Sequence, residues 1–203
     1  MKVSIISLSL AAMAIGSPIL NLGAATGLFK PKQVGRGLKS PFRFTSSYAI
    51  VATPDQVVNA SNVATGGLPG ASGLYLFGIN SHDNVICYNI TLDGFRGNYS
   101  SPAATATHIH EAPKGMAGPP RLAFPNPVLT GEGDKRSSVG CLTGPFTTGA
   151  LANGTDTGAG FHVRQIEEDP AAFFADVHSS LAVAGAVRGQ LDQEVCREKK
   201  KGY

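Results

Sequence analysis

The chain has 203 residues, 42% hydrophobic and 15% charged, with a formal net charge of +3. Its basic excess lies at the two ends; between Ala52 and Leu191 acidic residues outnumber basic ones, 11 to 7. No Trp and no basic stretch interleaved with aromatics occurs, which excludes a nucleic-acid-binding face.

The N-terminus reads as a signal peptide over residues 1–16. Lys2 supplies the short basic region, and Val3 to Ile15 form an apolar run too short to span a bilayer. Ala14-Ile-Gly16 is a small-x-small cleavage site, with Gly23-Ala-Ala25 as a second. No later segment reaches the length of a transmembrane helix, so we expect an exported protein that is not integral to a membrane. Sequons at Asn59, Asn89, Asn98 and Asn153 mark candidate glycosylation sites and fit an extracellular glycoprotein, with the cell wall as one candidate location.

Residues 17–71 are small, polar and Gly-rich, a leader or linker interrupted by one strand-like piece, Phe44 to Ala52, that can dock on the main body. Short strands separated by turn clusters then fill residues 72–191. Leu74 to Ile79 is apolar, and Asn80 to Asn84 is a turn. Val85 to Leu92 follows with clean alternation: Ile86, Tyr88, Ile90 and Leu92 share one face, while Cys87, Asn89 and Thr91 share the other. Further strands are expected at Thr105 to Glu111, Arg121 to Phe124 and Val139 to Phe146.

One helical piece is expected at His162 to Glu168, resuming through Phe174 with Asp169 as N-cap and Pro170 at the first position. A closing hairpin pairs Phe174 to His178 with Gly185 to Leu191 through a Gly-containing connection. Residues 192–203 form a charged tail. With 25 glycines, 13 prolines and little helical periodicity, the fold class is all-β: an antiparallel sandwich or barrel with a short helical insertion.

Three cysteines are too few for a disulfide framework, and none form a Cys-x-x-Cys pair. Cys87 and Cys141 both fall in strand-like segments and are expected to pair, although any pair is formally open. Cys196 lies in the tail, free or linking two chains.

Four pieces occur in one order: His108-Ile-His110, a turn ending in Gly118-Pro119-Pro120, Ala175 to His178, and Val187-Arg-Gly-Gln-Leu191. Together they resemble the CHRD domain, named for its repeats in chordin. Fungal secreted proteins with a single such domain look especially similar around the Cys87 strand and Phe124-Pro-Asn-Pro127. The resemblance implies an immunoglobulin-like β-sandwich and leaves the molecular function undefined. Chordin's antagonism of growth factors is credited to cysteine-rich modules that have no counterpart here. Bacterial members carry Gly-Glu ahead of the closing segment, where this chain has Gly185-Ala186.

His108 and His110 point to one side of a strand and can begin a Cu or Zn site. His178 is the best third ligand, and Asp176 lies two residues from it on the same face. Glu111 faces the other way, and His82 and His162 are weaker candidates. The competing reading has the histidines bonding to backbone or to Asp176 and fixing how the strands pack. Lys114 breaks a His-Glu-x-x-His motif and no Gly-x-Ser-x-Gly elbow exists, so no catalytic residue is assigned. Arg188 is a candidate to pair with Asp176 across the closing hairpin, the competing reading being an exposed edge-strand Arg. The leading expectation is a secreted, non-enzymatic structural or interaction module whose partner is an extracellular protein or a cell-wall or matrix glycan. The alternative is an extracellular Cu- or Zn-binding protein built on the His-x-His strand, with oxidoreductase chemistry within its reach.

Overall fold

The computed structural model describes residues 43–131, 133–192 and 194–197, the last four by backbone alone. The signal-peptide reading falls outside these residues. Alternation sets the architecture. In β2 (Ser72–Asn80) Tyr75, Phe77 and Ile79 are buried while Leu74 and Leu76 are exposed. In β3 (Val85–Asp93) Ile86, Tyr88, Ile90 and Leu92 are buried while Asn89 is exposed, as the period predicts. The turn between these strands contains Asn84 at φ 52°, a left-handed position that Asn tolerates.

These strands lie inside a six-stranded antiparallel sheet. It also contains β1 (Ser46–Ala52), β6 (Val128–Leu129), β7 (Arg136–Thr143) and β12 (Glu194–Arg197), in the order β12-β1-β2-β3-β7-β6. The strand expected to dock from a leader is therefore interior to the sheet. It pairs with β2 from Ser46↔Ile79 to Ala52↔Gly73, so the strands begin well before residue 72. The expected tail supplies β12, the neighbour of β1 on its other side. Cys87 and Cys141 face each other in the β3–β7 register and form a disulfide, which is the partner across the outer surface that the alternation of β3 required.

A four-stranded sheet, ordered β11-β10-β4-β5, packs against the first. It contains β4 (Thr107–Glu111), β5 (Pro120–Phe124), β10 (Phe173–Ser179) and β11 (Ala182–Gln190). Ile109, Leu122, Phe124, Ala175, Val177 and Val187 from this sheet join Tyr75, Phe77, Ile79 and Tyr88 in one core. Phe124 sits between Phe77 and Tyr88, with centroids 5.5 Å and 4.9 Å away. Full burial of such a ring contributes about 1.5–3 kcal/mol.

Between β7 and β10 run a two-stranded hairpin, β8 (Leu151–Ala152) and β9 (Thr155–Asp156), and the helix α1 (Arg164–Glu168). Asn153-Gly154 connects β8 to β9 with both residues at positive φ, the turn favoured in two-residue hairpins. The helix is shorter than expected. Pro170–Ala172 is a 3-10 turn, Asp169 makes no side-chain cap bond, and Phe173 and Phe174 have already entered β10. The closing hairpin turns at Ser180 and Leu181, which places Gly185 inside β11. Among the described residues no helix is long and apolar enough to cross a membrane.

Candidate metal centre

Ile109, Ala175 and Val177 point into the shared core, so the residues between them on β4 and β10 point the other way. That outward face contains His108, His110, Asp176 and His178. The β4–β10 register sets Asp176 opposite His108 and Phe174 opposite His110, and the His178 N–H donates to Ala106 O at 2.8 Å. Although it faces away from the core, the site is covered: His108 is 1%, Asp176 4% and His110 8% exposed.

Each imidazole has one nitrogen on a backbone carbonyl. His108 Nε2 lies 2.7 Å from Thr105 O, His110 Nδ1 2.8 Å from Gly118 O, and His178 Nδ1 2.9 Å from Val183 O. A carbonyl only accepts, so these three nitrogens carry the protons and the tautomers follow from the bonding network. In the neutral rings the remaining nitrogens present lone pairs inward. His108 Nδ1, His110 Nε2, His178 Nε2 and an Asp176 carboxylate oxygen lie within 4.8 Å of one another.

That arrangement is electrostatically incomplete. His110 Nε2 and His108 Nδ1 approach to 3.4 Å, and Asp176 Oδ1 lies 3.3 Å and 3.6 Å from them. Asp176 Oδ1 is nonetheless buried without a hydrogen-bond partner. Lone pairs converging on a desolvated carboxylate oxygen need a proton or a cation between them. Asp176 Oδ2 is engaged with His178 Nε2 at 3.1 Å. Burial pushes the Asp176 carboxyl up, but the charges of His110 and His178 outweigh it and hold the group well below the ordinary carboxylate range. Burial pushes His178 down, and Asp176 more than reverses this, raising the imidazole to about 9.

Two further features frame the site. Residues 112–119, the turn from β4 to β5, include the Gly118 carbonyl bonded by His110. Arg188 is close behind, but the candidate pair with Asp176 does not form. Although the two residues are register partners, Arg188 donates to Met116 O at 2.7 Å, Pro113 O at 3.1 Å and Gln190 Oε1 at 3.2 Å. Asp176 is already enclosed by imidazoles, and the turn carbonyls take up the guanidinium fork.

Of the sequence-derived ligands, the structure brings His108, His110 and His178 together and adds Asp176, which the sequence had placed only on the correct face. Its signal was the Asp-x-His spacing, matching His-x-His on the neighbouring strand. Glu111 faces away and pairs with Arg121 at 3.3 Å. His82 is exposed in the β2–β3 turn, and His162 Nδ1 accepts from the Arg164 N–H at the start of α1. Glu167 of α1 accepts from Thr45 Oγ1 and Ser46 Oγ. Among the sequons, Asn89, Asn98 and Asn153 are exposed, while Asn59 is half-buried with its Oδ1 accepting from the Ser61 and Val63 N–H groups.

The model of the CHRD domain matches residues 48–191. The chain belongs to the CHRD family. The match starts at Tyr48 in β1, in agreement with the interior position of that strand and earlier than the boundary at 72 read from the sequence. All four inward-facing donors and the closing Arg188-Gly-Gln190 segment lie within the CHRD domain. No curated protein and no solved structure matches the chain.

Proposed function

We propose that this CHRD domain binds one transition-metal ion, zinc or copper, through His108, His110, His178 and Asp176. The observation that carries the reading is the set of three backbone-anchored imidazoles around the buried Asp176 carboxylate, two of them facing Oδ1, which has no hydrogen-bond partner, and the third on Oδ2. Metal-binding histidines ordinarily give their second N–H to a carbonyl or carboxylate, which fixes the ring and raises its basicity. Three nitrogens and one carboxylate oxygen suit Zn2+, and imidazole suits Cu2+ as well. Four protein donors fill a tetrahedral shell, the pattern of structural zinc sites, so the reading assigns the protein no reaction.

The wider setting is a secreted member of the family with an immunoglobulin-like sandwich. The apolar N-terminal run, the sequons and the Cys87–Cys141 disulfide support export into an oxidising compartment. In this setting the metal site serves an extracellular interaction module rather than a catalyst.

Elemental mass spectrometry on the chain expressed through a eukaryotic secretory pathway tests the reading. About one Zn or Cu per chain is expected, and its loss when His108 and His110 are both changed to Asn. Empty wild-type protein that also refuses added metal would leave the histidines as packing groups.

A further inference from the structure

The closing segment Val187 to Leu191 places two polar side chains, Arg188 and Gln190, on buried ground, 4% and 7% exposed. Neither is among the inward-facing donors, and both reach the same object. Arg188 donates to Pro113 O and Met116 O, and Gln190 Nε2 donates to Ala112 O at 2.9 Å and Ala171 O at 2.7 Å. Three of these four carbonyls belong to the 112–119 turn, and the same turn presents Gly118 O to His110 Nδ1. The turn folds this closely because residue 118 is Gly; a Cβ there would lie 2.0 Å from Glu111 O.

A second route runs through ring contacts. The Arg188 guanidinium carbon lies 3.5 Å from the centroid of the Phe174 ring. Phe174 in turn stacks on His110, with centroids 4.9 Å apart and planes 6° from parallel. The ring plane of His110 is therefore fixed by Phe174, its rotation by Gly118 O, and both supports by Arg188. Gly189 lets this strand approach the first sheet, since a Cβ there would sit 2.8 Å from Val51 O.

We infer that Arg188 is a positioning residue of the metal site, holding His110 Nε2 in ligating orientation through Phe174 and through the 112–119 turn. The inference rests on the metal reading above and extends it to the Arg-Gly-Gln segment. Groups that orient a ligand from outside the coordination shell typically change metal affinity 10- to 100-fold when removed.

The test uses the full chain as wild type, Arg188→Met and Phe174→Leu, each produced through a secretory pathway. Zinc affinity is read by chelator competition, and the ligand field by the visible spectrum of the Co2+-loaded protein. Both variants are expected to bind zinc about 10- to 100-fold more weakly and to give altered Co2+ bands. A merely structural Arg188 would lower the melting temperature and leave the spectrum of the folded fraction unchanged. Wild-type affinity and spectrum in folded Arg188→Met overturn the inference. Should that variant fail to fold, the same result in Phe174→Leu overturns it. A wild type that takes up no metal overturns the metal reading as well, whereas metal-binding wild type with unaffected variants overturns the positioning role alone.

Discussion

Replacing Asp176 with Asn removes one negative charge from the meeting point of the imidazoles with almost no change in volume. In metal-free protein the principal loss falls on His178, whose imidazole Asp176 raises from 6.5 to about 9. Each unit corresponds to about 1.4 kcal/mol, so the pair favours the folded state by about 3 kcal/mol when His178 is fully charged, and slightly less at neutral pH. His178 is 13% exposed, so solvent screening takes little from that figure. For a domain of this size the change lowers the melting temperature by roughly 5–10 °C. The sign follows from the direction of the shift. A folded-state value above the unfolded one stabilises fully below the unfolded value near 6.5 and is lost as pH rises through about 9. Thermal melts of both proteins from pH 6 to 10, with a chelator present, should therefore show a wide gap near neutrality that closes as the pH passes 9. A gap of equal size at pH 7 and pH 10 would refute the proton-linked account, as would a wild-type His178 resonance titrating near 6.5. With zinc added the wild type should gain more stability than the variant, because Asp176 also supplies the anionic donor.

Zinc must displace the proton of His178, so its affinity should rise about tenfold per pH unit from pH 6 towards 9; a flat profile by isothermal calorimetry would remove His178 from the ligand set. Gly189→Ala forces a Cβ to 2.4 Å from Ile50 Cγ2 and 2.8 Å from Val51 O. It should cost about 1–3 kcal/mol in urea denaturation, and an unchanged midpoint would contradict the close approach of β11 to β1. Asn89 lies exposed on the outer face of the six-stranded sheet, paired in register with Leu76 and Val139, which are 39% and 69% exposed. Secretory expression should attach a glycan there, seen as a mass shift that glycosidase treatment or Asn89→Gln abolishes; an unmodified Asn89 would leave this apolar face bare. Removing metal should speed hydrogen exchange around Thr105, Gly118 and Val183 while β2 and β3 keep their protection. Uniform loosening of both sheets would argue that the metal acts on the core.

What could be read from the sequence was periodicity. The alternation of β3 sorted Ile86, Tyr88, Ile90 and Leu92 from Cys87, Asn89 and Thr91, and the structure buries the first set while leaving Asn89 exposed and Cys87 and Thr91 half-buried. The same period put His108 with His110, and Asp176 with His178. What periodicity lacks is register. Arg188 was a candidate partner for Asp176 because both sit on one hairpin, and they are indeed opposite each other. A long side chain is not confined to its cross-strand neighbour, however, and the turn carbonyls at Pro113 and Met116 capture its fork. Likewise, β1 looked like an appendage because its flanks are Gly-rich and polar, whereas its place beside β2 and β12 depends on pairings distant in the chain.

Register also explains why four donors can converge from only two strands. A His-x-His strand beside an Asp-x-His strand gives two donors from each, and pairing Asp176 with His108 brings the sets together. A slip of one residue would turn one set into the core and disperse the site. Neighbouring strands are already hydrogen-bonded, so a metal here would add little to holding β4 against β10. The outer nitrogens, by contrast, are tied to Thr105, Gly118 and Val183, which lie before β4, in the β4–β5 turn and at the start of β11. A metal that fixes the three rings would therefore act outward, on the connections rather than on the core. Loops displayed on a rigid scaffold are where binding surfaces are ordinarily built. On that ground the proposed metal binding and the proposed interaction role would be two aspects of one device: a bound ion would set the shape of the surface that a partner meets.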